Sequence, residues 1–239
     1  MSDVSFTFFA HPSATALHDA WKRSIAELLS TEDQSQGLIT VLARPFEDMS
    51  GAEAAFDCLV SPANSYGIMD GGIDMYISRA FSGGGDLLTL SRAIQGDLYA
   101  RWYGFAPPTS CTLVRIPEHL RNAQYPRCTV LAVCPTMRVP TDVSWHKDLA
   151  YNVVCTLLCE LERWNEGAGE EGRIRRVAIP GLATGTGRYD PDMCARQMVL
   201  AVKHFRDARS KEGRERLADR RWTTNAFNRL EEAMQVAGD

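Results

Sequence analysis

Asp57-Cys58-Leu59-Val60-Ser61-Pro62-Ala63-Asn64 decides the fold. A short apolar run that a proline stops is the pattern of a strand buried on both faces of a parallel sheet. It leads into Ser65-Tyr66-Gly67-Ile68-Met69-Asp70-Gly71-Gly72-Ile73-Asp74, a glycine-bearing loop that opens a helix. The same grammar recurs at Arg176 to Ile179, closed by Pro180 and followed by Gly181-Leu182-Ala183-Thr184-Gly185-Thr186-Gly187-Arg188-Tyr189-Asp190-Pro191. Glycines let backbone N–H groups approach a ligand with no Cβ in the way. A helix opening adds unpaired N–H groups and a dipole that favours an anion.

Outward from these two segments, strands and helices alternate. Strands are expected at Val4 to Phe9, Leu38 to Leu42, Thr112 to Ile116 and Thr129 to Cys134. Helices are expected over 13–29 (Leu17, Trp21, Ile25, Leu28; Ser13 as N-cap), 72–82, 86–103, 144–164 and 191–208. Ser82-Gly83-Gly84-Gly85 is a break and 167–172 a polar loop. Alternation of this kind predicts a three-layer α/β/α sandwich around a mixed central sheet, with residues 1–208 as one domain. Residues 209–239 read as a charged connector and a peripheral C-terminal helix, its apolar face at Phe227, Leu230 and Met234. Whether residues 4–29 add a strand at the sheet edge or reach a ligand stays open.

The 239 residues are 45% apolar and 23% charged, the composition of a globular chain with a core rather than a disordered or collagen-like one. A net charge of −4 and a pI near 5.8 give no general pull toward nucleic acid or anionic membrane, and neither is expected as a partner. No apolar run reaches the ~20 residues that span a bilayer. The start lacks a basic stretch ahead of an apolar one, so a signal peptide is not expected. Seven scattered cysteines read as reduced, buried thiols, and a cytoplasmic or nuclear location follows as an expectation. The five histidines have no paired spacing, so no metal site is expected. No cofactor is expected either. Gly-x-x-x-x-Gly-Lys fails because Thr186 stands five after Gly181 with no lysine behind it. Gly-x-Gly-x-x-Gly fails because Asp190 follows Gly185 and Gly187 at the third glycine's place.

What the motifs do resemble is the macro domain, a module that binds ADP-ribose. Val60-Ser61-Pro62-Ala63-Asn64, then Gly71-Gly72-Ile73-Asp74, resembles that family's Val-Asn-Ala-Ala-Asn strand end and Gly-Gly-Gly-Val-Asp stretch. Pro180 to Arg188 resembles its phosphate loop. Glu47-Asp48-Met49-Ser50 stands where the family has Gly-Asp-Ile-Thr, and the strand ending at Pro135 resembles its Val-Ile-His-Thr-Val-Gly-Pro strand. The likeness covers roughly residues 37–208.

The resemblance implies roles. Asn64 would contact the distal ribose hydroxyls, and Asp74 would position or activate water near the anomeric carbon. A helix N-terminus should hold Asp74 ionised. Asp48 would accept from the adenine amino group, with Met49 offering a backbone contact beside it. Gly71, Gly72 and Ile73 on one side, and Thr184, Gly185, Thr186, Gly187 and Arg188 on the other, would hold the diphosphate. The aromatic usual in the second loop falls at Gly187, so either Tyr189 serves instead or the distal ribose is held differently. Tyr66, Trp102 and Tyr103 are candidates to stack on adenine or to pack the core. The implied activity is hydrolysis at the distal ribose C1″ of an ADP-ribosylated protein or of ADP-ribose 1″-phosphate; the alternative is a non-catalytic ADP-ribose reader. Oligomeric state stays open.

Overall fold

A computed structural model describes residues 4–82 and 84–218, with Asn228, Glu231 and Glu232. Strands β1 (Ser5–Ala10), β2 (Ile39–Ala43), β3 (Cys58–Ser61), β4 (Thr112–Arg115), β5 (Val130–Val133) and β6 (Arg176–Pro180) form one sheet in the order β2-β1-β6-β3-β5-β4. Every pairing is parallel except that of the edge strand β4 with β5. The sheet is therefore mixed, as its sequence pattern predicts. β1 lies inside it, between β2 and β6, not at its edge.

Side chains alternate between two cores. Phe6, Phe8, Cys58, Val60, Val130, Ala132, Val177 and Ile179 face one helical layer. That layer is built from α1 (Thr15–Leu28), α5 (Leu149–Gly167) and α6 (Pro191–Arg209), which supply Trp21, Leu157, Leu161, Met198 and Val202. Phe9, Leu59, Leu131, Val133 and Ala178 face the other, where α3 (Gly72–Ala80) and α4 (Leu88–Trp102) supply Ile77, Leu90, Ile94 and Leu98. Period-two strands between period-3.6 helices thus close the α/β/α sandwich. A short α2 (Thr31–Ser35), capped by Ser30 Oγ accepting from Asp33 N, links α1 to β2.

Several boundaries differ from the sequence expectation. Ser13 is not the cap of α1; Ala14 stands there, and Ser13 Oγ lies 2.7 Å from His11 Nδ1. The helix expected over 144–164 begins at Leu149, where the buried Gln197 amide oxygen accepts from Ala150 N and Tyr151 N. A tertiary cap of this kind leaves no local sequence signal. α5 also runs through Asn165 and Glu166 to Gly167. The charged stretch after α6 contains α7 (Lys211–Ala218). Phe227, Leu230, Met234 and Gly83 lie outside the described residues.

Asp57 ties three strands together at the amino edge of the sheet. Its Oδ2 accepts from Arg175 N (2.8 Å) and Arg176 N (2.9 Å), and its Oδ1 from the Arg127 guanidinium (2.8 and 3.0 Å). An amide offers one acceptor where the carboxylate offers two. Asp57→Asn is expected to cost roughly 1–2 kcal/mol in denaturant unfolding, and an unchanged midpoint would contradict this hub.

Candidate functional site

All parallel strands end at one edge, and there the order of connections reverses around β6. Such a point in an open α/β sheet forms a crevice. Here it is a cleft of about 580 Å³. The ends of β1, β2, β3, β5 and β6 bring Ala10, Arg44, Pro62, Thr136 and Gly181 to its walls. Of the expected site residues, Asn64, Gly71, Gly72, Ile73, Asp74, Thr184, Gly185, Thr186 and Gly187 line this one cleft. The two glycine segments, over 100 residues apart in sequence, meet there.

Backbone donors concentrate at both. α3 opens with no side-chain cap, and Gly72 turns into it at φ +56°, a conformation that suits glycine. Among the described residues, the N–H groups of Gly72, Ile73 and Asp74 have no acceptor, nor have those of Thr184, Gly185, Thr186 and Gly187. A Cβ built on Gly71, Gly72 or Gly185 would meet nothing within 4 Å. These glycines therefore leave open space for a ligand rather than room for a neighbouring chain segment. The arrangement can take two negative groups side by side.

Asp74 stands at the third position of α3, 6% exposed. Ser61 Oγ donates to its Oδ1 at 2.7 Å. The expectation of a low pKa is overturned. Burial pushes Asp74 up from 3.8 to about 7; the Ser61 hydrogen bond lowers it, and the neighbouring Asp70 carboxylate raises it further. Among the described residues no backbone N–H donates to the carboxylate, so the helix opening does little to offset lost hydration.

Asn64, 8% exposed, has its amide engaged by its own loop: Nδ2 donates to Ile68 O (2.7 Å), and Oδ1 accepts from Tyr66 N (3.0 Å) and Ile68 N (3.3 Å). It shapes the first loop as well as lining the cleft.

Four expected residues lie off the cleft wall. The 3-10 turn Phe46–Asp48 is pinned by Phe46, stacked on Tyr125 at 4.7 Å, by Tyr125 Oη donating to Phe46 O, and by Gln124 Nε2 donating to the Glu47 and Met49 carbonyls. Pinned this way, the turn places Glu47 on the cleft, Asp48 in solvent and Met49 in the core, with its carbonyl already used. Arg188, at φ +51°, points its guanidinium into solvent, 4.0 Å from Asp142. Tyr189 is buried; its hydroxyl is shared between Gln197 Oε1 (2.9 Å) and Lys147 O (3.1 Å). It anchors the second loop to the start of α5 and does not replace the missing aromatic.

None of the three candidate stacking aromatics lines the cleft either. Tyr66 packs edge-on against Phe105, Trp102 Nε1 donates to Thr112 Oγ1, and Tyr103 is exposed at the end of α4. Phe9, Phe46 and Tyr76 supply the aromatic surface instead.

Sequence reasoning also missed His11, Ala14 and Leu17, which follow β1, and Arg44, which follows β2. Their signal was the end of a parallel strand. His11 Nδ1 accepts from Ser13 N at 3.2 Å, so the neutral ring carries its proton on Nε2.

Among the described residues, no three His, Cys, Asp or Glu side chains group as metal ligands, and no helix is long and apolar enough to cross a membrane. No protein-family model matches the chain, and no curated protein matches it in sequence. Solved structures are similar to it in fold. The macrodomain of Mycobacterium tuberculosis DarG is 20% identical, over 66% of this chain and 89% of that one, with a TM-score of 0.46. An Oceanobacillus iheyensis macrodomain with ADP is 13% identical, over 64% and 73%, at 0.44. A mutant of the latter with ADPR is 13% identical, over 64% and 74%, at 0.46. In fold, this chain is similar to these macrodomains.

Proposed function

We propose that the cleft binds ADP-ribose or a terminal ADP-ribose derivative and that the chain hydrolyses the bond at the distal ribose C1″. The carrying observation is the convergence of two unpaired sets of backbone N–H groups, at 72–74 and 184–187, on one cleft. A diphosphate between them would take several charge-assisted hydrogen bonds, each worth about 1.5–3 kcal/mol. The base lies at the end formed by Phe9, Phe46 and Glu47, and the distal ribose at the end formed by Asn64 and Asp74. Micromolar affinity, about −8 kcal/mol, is expected.

Substrates in this reading are an ADP-ribosylated protein or ADP-ribose 1″-phosphate. Incubation of the purified chain with each, followed by detection of free ADP-ribose, tests it. Binding without any turnover selects the second reading, a reader module. One observation favours that reading: the Asn64 amide is already bonded to its own loop.

The base end makes a separate prediction. Glu47→Ala is expected to weaken ADP-ribose roughly tenfold, the value of about one hydrogen bond, while Asp48→Ala stays within about twofold. Calorimetry on both variants decides it; the reverse order would place Asp48 back at the base.

A further inference from the structure

Ser61 and Asp74 form a buried pair that the anion-binding reading leaves unused. The Ser61 side chain is fully buried at the end of β3, and its hydroxyl fixes one oxygen of Asp74. The other oxygen, Oδ2, has no partner among the described residues, and Asp74 lines the cleft. No cation among the described residues lies within ion-pair distance of this carboxyl. Its neighbours also favour the neutral acid. Asp70 in the preceding loop brings like charge. Cys134, beyond the end of β5, is a thiol held protonated by its hydrogen bond with Cys111 and by burial. α4 packs on α3 through Leu90, Ile94 and Leu98. Glu47, on the 3-10 turn that packs against α3, lines the same cleft, as does Arg44, which pairs with Glu53.

We propose that Asp74, held by Ser61, donates a proton to the leaving atom at C1″, and that the site therefore takes N- or O-glycosidic linkages of ADP-ribose. This rests on the ADP-ribose reading and selects among its substrates. A carboxylate or phosphate leaves as a stable anion and needs little acid help. An aliphatic oxygen or an amide nitrogen must take a proton as it departs, whereas a guanidine leaves as a neutral molecule because its linkage is already a cation. In the step, the bond from C1″ to the linking nitrogen or oxygen breaks and its electron pair takes the Asp74 proton. A water oxygen bonds to C1″ and releases one proton to solvent, and solvent returns one to Asp74. Ser61 is a positioning residue: it turns the open oxygen toward the cleft.

The test uses the full chain with serine-linked and asparagine-linked ADP-ribosyl peptides, and with ADP-ribose 1″-phosphate for comparison. At least one peptide is expected to be cleaved faster than the phosphate, with a rate that falls as pH rises through about 7. Asp74→Asn should lose roughly 100-fold or more on that peptide, and at least about tenfold less on the phosphate. Ser61→Ala should move the alkaline fall to higher pH, because the lost hydrogen bond had favoured the anion; a packing role alone would leave the profile in place. Cleavage of the phosphate alone, equal losses on both substrates, a rate that rises above pH 7, or ADP-ribose binding with no turnover would each overturn the proposal. Calorimetry separates these from failure of the underlying reading, because a chain that binds no ADP-ribose overturns both.

Discussion

Replacing Asp74 with asparagine is expected to stabilise the protein at pH 8 and to remove a loss of stability that the wild-type chain suffers between pH 4 and pH 8. The folded pKa, about 7, lies above the ordinary value of 3.8. Between those values the folded chain binds more protons than the unfolded one, so stability falls as pH rises. It is full below about pH 4, drops through pH 7 and levels off above. A displacement of about three pH units corresponds to roughly 4 kcal/mol at 1.36 kcal/mol each. The carboxyl is almost wholly buried, so little of this is screened away. Urea unfolding of both proteins at pH 4, 6 and 8 gives the comparison, in which other titrating groups cancel. A difference that grows with pH is the expected result; a constant one would mean that Asp74 ionises freely in the folded chain.

Gly185→Val should reduce ADP-ribose affinity at least about 100-fold, some 2.7 kcal/mol, and leave the thermal midpoint nearly unchanged. The added side chain meets no protein atom near its Cβ and enters the cleft between the two loops. Two residues on, the outcome differs. A Cβ on Gly187 would lie 2.6 Å from Ala183 O and 2.9 Å from Val143 Cγ2, so Gly187→Ala should lower the midpoint itself. Both glycines line the cleft, but protein atoms crowd only Gly187. Binding unaffected by Gly185→Val would mean that the loop does not hold the diphosphate.

Much of the molecule is legible in the order of its amino acids alone. The strand Cys58–Ser61 carries its burial in an unbroken apolar run, and the turns after β3 and β6 announce themselves through Pro62, Gly71, Gly72 and Gly181. Those signals are local, and they suffice to bring Asn64, Asp74 and Gly185 to one cleft. What is illegible depends on partners far along the chain. Asp48 leaves the wall because Tyr125 and Gln124, more than 70 residues away, fix the turn that carries it. Tyr189 turns inward because Gln197 and Lys147 hold its hydroxyl. His11 reaches the cleft because β1 inserts between β2 and β6, a placement that no pattern within residues 4–29 encodes. The Asp74 pKa is the sharpest case. A helix opening predicts an ionised carboxylate, and only the burial around it reverses the sign.

Titration of ADP-ribose into the wild-type chain by calorimetry, with ATP and NAD as comparisons, tests most directly whether the cleft is an ADP-ribose site. Saturable one-to-one binding in the micromolar range, tighter than for ATP or NAD and lost in Gly185→Val, is the predicted result. No heat up to millimolar ADP-ribose would contradict it and leave the two glycine loops as parts of the fold alone.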